Sequence, residues 1–185
     1  MRMLAASLAL SLPVIFSACS NGVSHLSTID APAQNSYRLG PGDELRLAVF
    51  GFDQMANVYT VADNGDISLP LLGAIKADQR TPAELEAAIS SQLLSRELAT
   101  KPSVSVQVVK YRPIYILGEV QKPGQYPYVP GMTVTTAVAI AGGYTFRAST
   151  KMAAVTRSGT DVERRADAVT KIMPGDTIRV PEAWF

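Results

Sequence analysis

The sequence predicts an α+β fold: a small mixed-sheet domain with a packed helix over residues 37–110 and a second small domain over 111–181, behind an N-terminal leader and tether. Three observations predict it. Apolar and polar residues alternate over short runs such as Glu44–Phe50 and Ser103–Lys110, the period of half-buried strands. Two longer stretches, near 81–99 and 131–143, carry helix punctuation instead. A Pro-Gly-Asp turn opens the first domain at Pro41-Gly42-Asp43 and returns near the end of the second at Pro174-Gly175-Asp176. In each copy Pro presets φ and Gly tolerates positive φ, as the central pair of a type II turn requires, and an apolar alternating run follows.

The bulk numbers agree with folded domains and exclude some functions. A hydrophobic content of 47% with 18% charged residues is that of a folded chain. The 17 bases and 16 acids leave a net charge of +1, and loss of residues 1–18 would remove only Arg2, so the remainder is neutral. With no basic block, nothing marks an electrostatic footprint for nucleic acid. One Cys and one His permit neither an intramolecular disulfide nor a Cys/His zinc pattern.

Residues 1–18 read as a secretory signal peptide: Arg2, then an apolar run to Phe16 too short for a comfortable membrane span, then small Ser17 and Ala18 before Cys19. This resembles the signal of bacterial lipoproteins, although Phe16 stands where Leu, Val or Ile is usual. The resemblance implies cleavage before Cys19 and lipid attachment to its thiol; the alternative is an ordinary signal with an incidental Cys. Ser20 after the Cys implies, by the same resemblance, sorting to the outer membrane. Residues 19–36 are small and polar without periodicity, and are expected to form a flexible linker with His25 solvated in it.

In the first domain, Leu45, Leu47 and Val49 mark one face of a strand, and Val58–Val61 a second. Asp63-Asn-Gly-Asp66 reads as a hairpin turn rather than a calcium loop, because the spacing lacks the EF-hand pattern and its distal Glu. Ile67–Ile75 is expected as one further strand interrupted by Pro70 and Gly73. Thr81-Pro82-Ala83-Glu84 has the form of a capping box with Pro at the first helical position. Leu85, Ala88, Ile89 and Leu93 then give an apolar stripe to about Ala99.

The second domain begins with a strand over Pro113–Val120, a turn at Gln121–Gly124 and a return at Gln125–Val129, where Pro127 suggests an edge or bulge. Gly131–Gly143 is expected as a short helix whose Gly142-Gly143 pair is a C-terminal cap. A phosphate cradle needs glycines before a helix, not after one. Ala153–Arg157, Val162–Arg165 and Thr177–Val180 complete the strands.

Taken in order, these motifs resemble a known family. Tyr37-Arg-Leu-Gly-Pro-Gly-Asp-Glu-Leu45, Asp63–Gly73, the helix at Thr81 and the strand after Pro102 are similar to the polysaccharide biosynthesis/export domain. Tyr115–Tyr126, Ala141-Gly-Gly143 and Met173–Val180 resemble a soluble-ligand-binding β-grasp (SLBB) module. The resemblance implies an outer-membrane lipoprotein, anchored through Cys19 and facing the periplasm. It also implies a homo-oligomeric ring that passively guides capsular or exopolysaccharide, working with an inner-membrane polysaccharide co-polymerase often linked to a tyrosine kinase. No catalytic residue, cofactor or metal site is expected, and no Walker, His-Glu-x-x-His or Gly-x-Ser-x-Gly motif occurs. Larger family members add further SLBB modules and a C-terminal amphipathic helix. This sequence has one module and a tail, 182–185, which leaves a self-made outer-membrane pore open to question and points to a ring completed by another protein or a membrane-inserted rim; Trp184 and Phe185 are read either as docking at the membrane interface or a partner, or as packed on the chain's own surface. The alternative function is a periplasmic sugar-binding or scaffolding lipoprotein without a pore. An envelope hydrolase using Asp43, Asp66 or Glu119 is disfavoured, because nothing sets two carboxylates at the separation glycoside chemistry needs.

Overall fold

A computed structural model describes residues 22–29 and 37–183 of the chain. The fold is α+β. The first domain is built on a three-stranded antiparallel sheet in which the central strand β1 (Glu44–Val49) pairs with β2 (Asn57–Thr60) and β5 (Val104–Lys110). The alternation in β1 sends Leu45, Leu47 and Val49 into the core. In β5 it leaves Val106 buried, with Val104 and Val108 packed beside it.

The apolar run at 67–75 is a hairpin, not one strand: β3 (Asp66–Leu69) and β4 (Gly73–Lys76) pair antiparallel. Pro70 cannot donate to a ladder, and Leu71 sits in the left-handed region at φ 65°, so the chain reverses there. Helix α1 (Pro82–Ser95) starts at the complete capping box of Thr81 and Glu84. It buries Leu85, Ile89 and Leu93 against the sheet, each burial stabilising by about 1.5–3 kcal/mol. The helix ends at Ser95, short of Ala99. Glu97 takes φ 57°, its N–H donates to Leu94 O and the Leu98 N–H to Leu93 O, which is a Schellman ending made without glycine. Arg96 then donates to the carbonyls of Leu71 and Leu72, tying the helix end to the β3–β4 turn.

The second domain is a five-stranded mixed sheet of order β7-β6-β10-β8-β9, with β6 at Ile114–Gly118, β7 at Gly124–Tyr126, β8 at Met152–Thr156, β9 at Glu163–Asp167 and β10 at Thr177–Val180. β6 and β10 run parallel and the other pairs are antiparallel. Helix α2 (Val134–Ile140) also starts at a threonine capping box, Thr133 with Thr136, and buries Val134, Ala137 and Val138. Its β-branched residues give it little intrinsic helicity, so burial against Ile114, Ile116, Ile172 and Ile178 stabilises it. Gly142 and Gly143, at φ 85° and 90°, cap it, and their N–H groups donate to Ala139 O and Val138 O.

The expected flexible linker is in part a docked element. Residues 22–29 form a short 3₁₀ turn, Val23–His25, and then run along β9. The Arg165 N–H donates to Ser27 O, the Ile29 N–H donates to Arg165 O, and Val23 and Ile29 are buried. The apolar Val23 and Ile29 within a polar stretch are the anchor points. His25 is exposed on this segment. Cys19, Trp184 and Phe185 lie outside the described residues.

Candidate functional site

The two Pro-Gly-Asp turns are the same device built twice. In each, the Asp N–H closes a type II turn, donating to Gly40 O or Met173 O, with Gly42 at φ 90° and Gly175 at φ 82°. In each, the carboxylate folds back so that Oδ2 accepts the N–H three residues earlier, Gly40 N at 2.8 Å and Met173 N at 2.8 Å. Each corner also joins a neighbouring strand segment. Gly42 N–H donates to Val61 O and Val61 N–H to Asp43 O. Gly175 N–H donates to Pro113 O and Tyr115 N–H to Asp176 O. Among the described residues the buried charged side chains are Asp43 and Asp176.

The corners meet across the domain boundary, around Arg112. Its backbone N–H donates to Asp43 Oδ1 at 2.9 Å, and its guanidinium reaches Asp43 Oδ2 at 3.5 Å. Its Nε donates to Pro174 O in the other corner at 3.1 Å. A Cβ on Gly40 would lie 1.9 Å from Arg112 Nη1, and one on Gly175 would lie 2.7 Å from its Nε, so the glycines make the passage in which this side chain lies. Tyr37 adds to the clamp: its hydroxyl donates to Asp43 Oδ2, and its ring lies 6.0 Å from the Arg112 guanidinium carbon. Burial first, then the Asp43 hydrogen bond, push the Tyr37 phenol well above its usual range.

Asp176 differs from Asp43. Arg157 donates to its Oδ2, but Oδ1 is buried with no hydrogen-bond partner. Burial pushes the Asp176 carboxyl up to about 6, against the opposing pull of the Arg157 guanidinium. Between the corners lies a cleft of about 240 Å³ lined by Tyr37, Arg38, Arg112, Arg157 and Asp176 among others. Beside it, Tyr111 stacks edge-on between Tyr37, at 5.1 Å, and Tyr128, at 5.4 Å.

The other acids singled out in the sequence lie elsewhere. The turn at 63–66 does not close a hairpin, because β2 and β3 belong to different sheets; within it Asp66 accepts from the Asn64 amide and faces Lys76 at 3.9 Å. Glu119 accepts from the Thr145 hydroxyl at 2.5 Å. Asp66 thus serves a local turn, whereas Glu119 ties the end of β6 to the segment at Thr145, 26 residues on. Among the described residues no group of three His, Cys, Asp or Glu is placed to hold a metal ion, and no helix is long and apolar enough to cross a membrane. Sequence reasoning missed Arg112, Arg157 and Tyr111. Their partners are distant in the chain, Arg112 lying 69 residues from Asp43, and the available signal was only that Lys110-Tyr-Arg-Pro113 falls between two recurring acidic turns.

Comparison with known proteins gives the two domains names. Residues 31–109 match the polysaccharide biosynthesis/export protein family and residues 113–166 match the SLBB domain. The chain is 34% identical over 173 residues to the exopolysaccharide production protein ExoF of Rhizobium meliloti (strain 1021), covering 80% of this chain and 41% of that one. It is 37% identical over 106 residues to the EPS I polysaccharide export outer membrane protein EpsA of Ralstonia nicotianae, covering 55% and 27%. With EpsA of Ralstonia solanacearum it shares 33% over 134 residues, covering 58% and 35%. The chain thus spans less than half the length of these relatives. Two matches in consecutive order, one for each folded domain, identify the chain as a member of the polysaccharide biosynthesis/export protein family that carries an SLBB domain.

Proposed function

We propose that the chain is a lipid-anchored component of an envelope polysaccharide export route, held at the outer membrane through Cys19 and facing the periplasm. The observation that carries this reading is the succession of export and SLBB matches over residues 31–166. In the proposed role the protein forms an oligomeric ring that guides capsular or exopolysaccharide passively, receiving it from an inner-membrane co-polymerase linked to a tyrosine kinase. It performs no bond-making chemistry. In support, the buried carboxylates Asp43 and Asp176 are held in turn-closing hydrogen bonds.

The docked segment supplies an orientation. Cys19 precedes Gly22 by three residues, a reach of at most about 11 Å at full extension. Residues 22–29 lie on the β9 edge of the second domain. A lipid on Cys19 would therefore hold the SLBB domain close to the membrane surface, leaving the export domain to be positioned through the Arg112 clamp.

Deleting the gene in a background without a second copy should abolish surface polysaccharide while precursor synthesis continues; normal surface polysaccharide would overturn the reading. Acyl labelling should be lost in Cys19→Ser, and labelling that persists would refute the anchor. Electron micrographs of the purified lipidated protein should show rings. A stable monomer would point instead to a scaffolding lipoprotein.

A further inference from the structure

The segment 110–113 passes between the domains, from the end of β5 to the start of β6, and its side chains divide between two sites. Arg112 enters the clamp. On the other side, Tyr111 and Pro113 line a groove of about 670 Å³ shared by both domains. The first domain contributes Gly42, Val109 and Lys110, and the second contributes Gln125 to Pro130. We propose that this groove is a contact site for the carbohydrate, taking a short saccharide segment across the domain boundary; this rests on the export reading above.

The groove has the size of a small-ligand site, for which about 300–1,000 Å³ is typical. Its surface suits a ligand that is polar at its edge and apolar on its faces. Tyr111, Tyr126 and Tyr128 offer ring surface, and each is half-buried rather than sunk in a core. Their positions are set before any ligand arrives. Tyr111 is stacked between Tyr37 and Tyr128, and the Tyr126 hydroxyl donates to Lys122 O at 2.6 Å. Aromatic rings held in this way lose little rotamer freedom on binding. Sugar rings present C–H faces that lie on such aromatic surface, and their rim of hydroxyls needs donors and acceptors. The exposed Gln125 amide supplies both, and phenol hydroxyls add more.

Charge does not select among saccharides. No carboxylate lines the groove, and its cation, Lys110, is held at 2.7 Å by Glu44. Nothing in the lining repels an acidic sugar, and nothing demands one. The site therefore fits neutral or acidic saccharides by stacking and hydrogen bonding. An extended proline-rich peptide is the other ligand that aromatic grooves accept, and the test must separate the two.

Titration calorimetry on the full chain in detergent decides the matter. The probe is a set of short oligosaccharides released from the host's own envelope polysaccharide, with a proline-rich peptide run in parallel. The oligosaccharides should bind. Tyr128→Ala should weaken binding about tenfold or more, and Tyr128→Phe should change it by less than about threefold. Because Tyr128 also packs on the second core, Gln125→Ala serves as the variant that keeps the fold, with a loss of about three- to tenfold expected. The proposal is overturned if the full chain binds no oligosaccharide, if folded Gln125→Ala and Tyr128→Ala bind as the wild type does, or if only the peptide binds. Surface polysaccharide in the deletion strain reads the parent proposal separately. If the deletion stops export but the groove variants bind normally, the groove alone fails; if export survives the deletion while the variants lose binding, the export reading alone fails.

Discussion

The two Pro-Gly-Asp corners share a turn type, a folded-back carboxylate and a buried aspartate, yet one is closed and the other is left open. Asp43 collects the Gly40 N–H, the Arg112 N–H, the Tyr37 hydroxyl and the Arg112 guanidinium. Asp176 collects the Met173 N–H and Arg157 and leaves Oδ1 bare. The difference follows from what lies beside each corner. The chain passes directly from β5 to β6 through Arg112, and its backbone N–H there reaches the Asp43 carboxylate, whereas the groups it brings to the other corner, the Pro113 carbonyl and the Tyr115 N–H, meet the Gly175 N–H and the Asp176 carbonyl and leave the carboxylate aside. The same local motif thus yields two electrostatic outcomes. A buried carboxylate is stabilised by the donors that meet it, and burial with fewer donors favours its neutral form.

This comparison can be broken most severely at the closed corner. Asp43→Ala leaves Arg112, Tyr37 and a buried N–H without their acceptor and should cost about 3–5 kcal/mol in chemical denaturation. Asp176→Ala removes a carboxylate that was incompletely paired and should cost less, about 1–3 kcal/mol. Equal losses would show that the two corners are equivalent after all.

Arg112→Ala tests whether the corners are coupled. Asp43 keeps its backbone donors, so the loss should be about 1–3 kcal/mol. The more telling result is the shape of the curve: heat or urea should unfold the domains in two steps where the wild type shows one. A single unchanged transition would mean that Arg112 does not join them.

The open corner can be sharpened by pH. The folded carboxyl titrates near 6 and the unfolded one near ~3.9, so the folded state holds a proton that the unfolded state releases between those values. The contribution of Asp176 to stability therefore rises as pH falls through about 6 and levels off below about 4. Relative to Asp176→Asn, the wild type should gain about 1–3 kcal/mol between pH 7 and pH 4.5. A difference that stays flat over this window would show that Oδ1 has found a donor.

The smallest effects concern the helices, one per domain, each started by a threonine capping box. Thr81→Ala and Thr133→Ala should each cost about 1 kcal/mol. Hydrogen exchange should show that the second frays more of its helix, because seven residues offer fewer internal bonds than fourteen.

What could be read from the residues was local. Thr81-Pro-Ala-Glu84 specifies a helix start within one turn, and Leu45, Leu47 and Val49 specify a buried strand face by their spacing alone. The end of α1 was not legible, because the usual glycine is missing and Glu97 adopts the left-handed conformation in its place. Nor was the hairpin at 66–76, where Pro70 and Gly73 read as interruptions of a strand but in fact reverse the chain. The junction was illegible for a different reason. Each Pro-Gly-Asp turn was visible, but their meeting on Arg112 depends on the packing of two domains, which no spacing within either motif encodes. For the same reason Val23 and Ile29 gave little signal, since their partners lie in β9 at the far end of the chain.

That last contact gives the molecule a nested order. Residues 22–29 belong structurally to the second domain, so the first domain is an insertion within it, entered after Ile29 and left at Arg112. The first domain can complete its core from residues 37–110 alone. The second cannot complete its edge until β9 has been made and the early segment returns to it across more than a hundred residues. Long loops of this kind cost entropy to close and close late. Folding should therefore finish at residues 22–29, and an isolated fragment of residues 111–183 would present an uncovered β9 edge, a template for pairing with another chain.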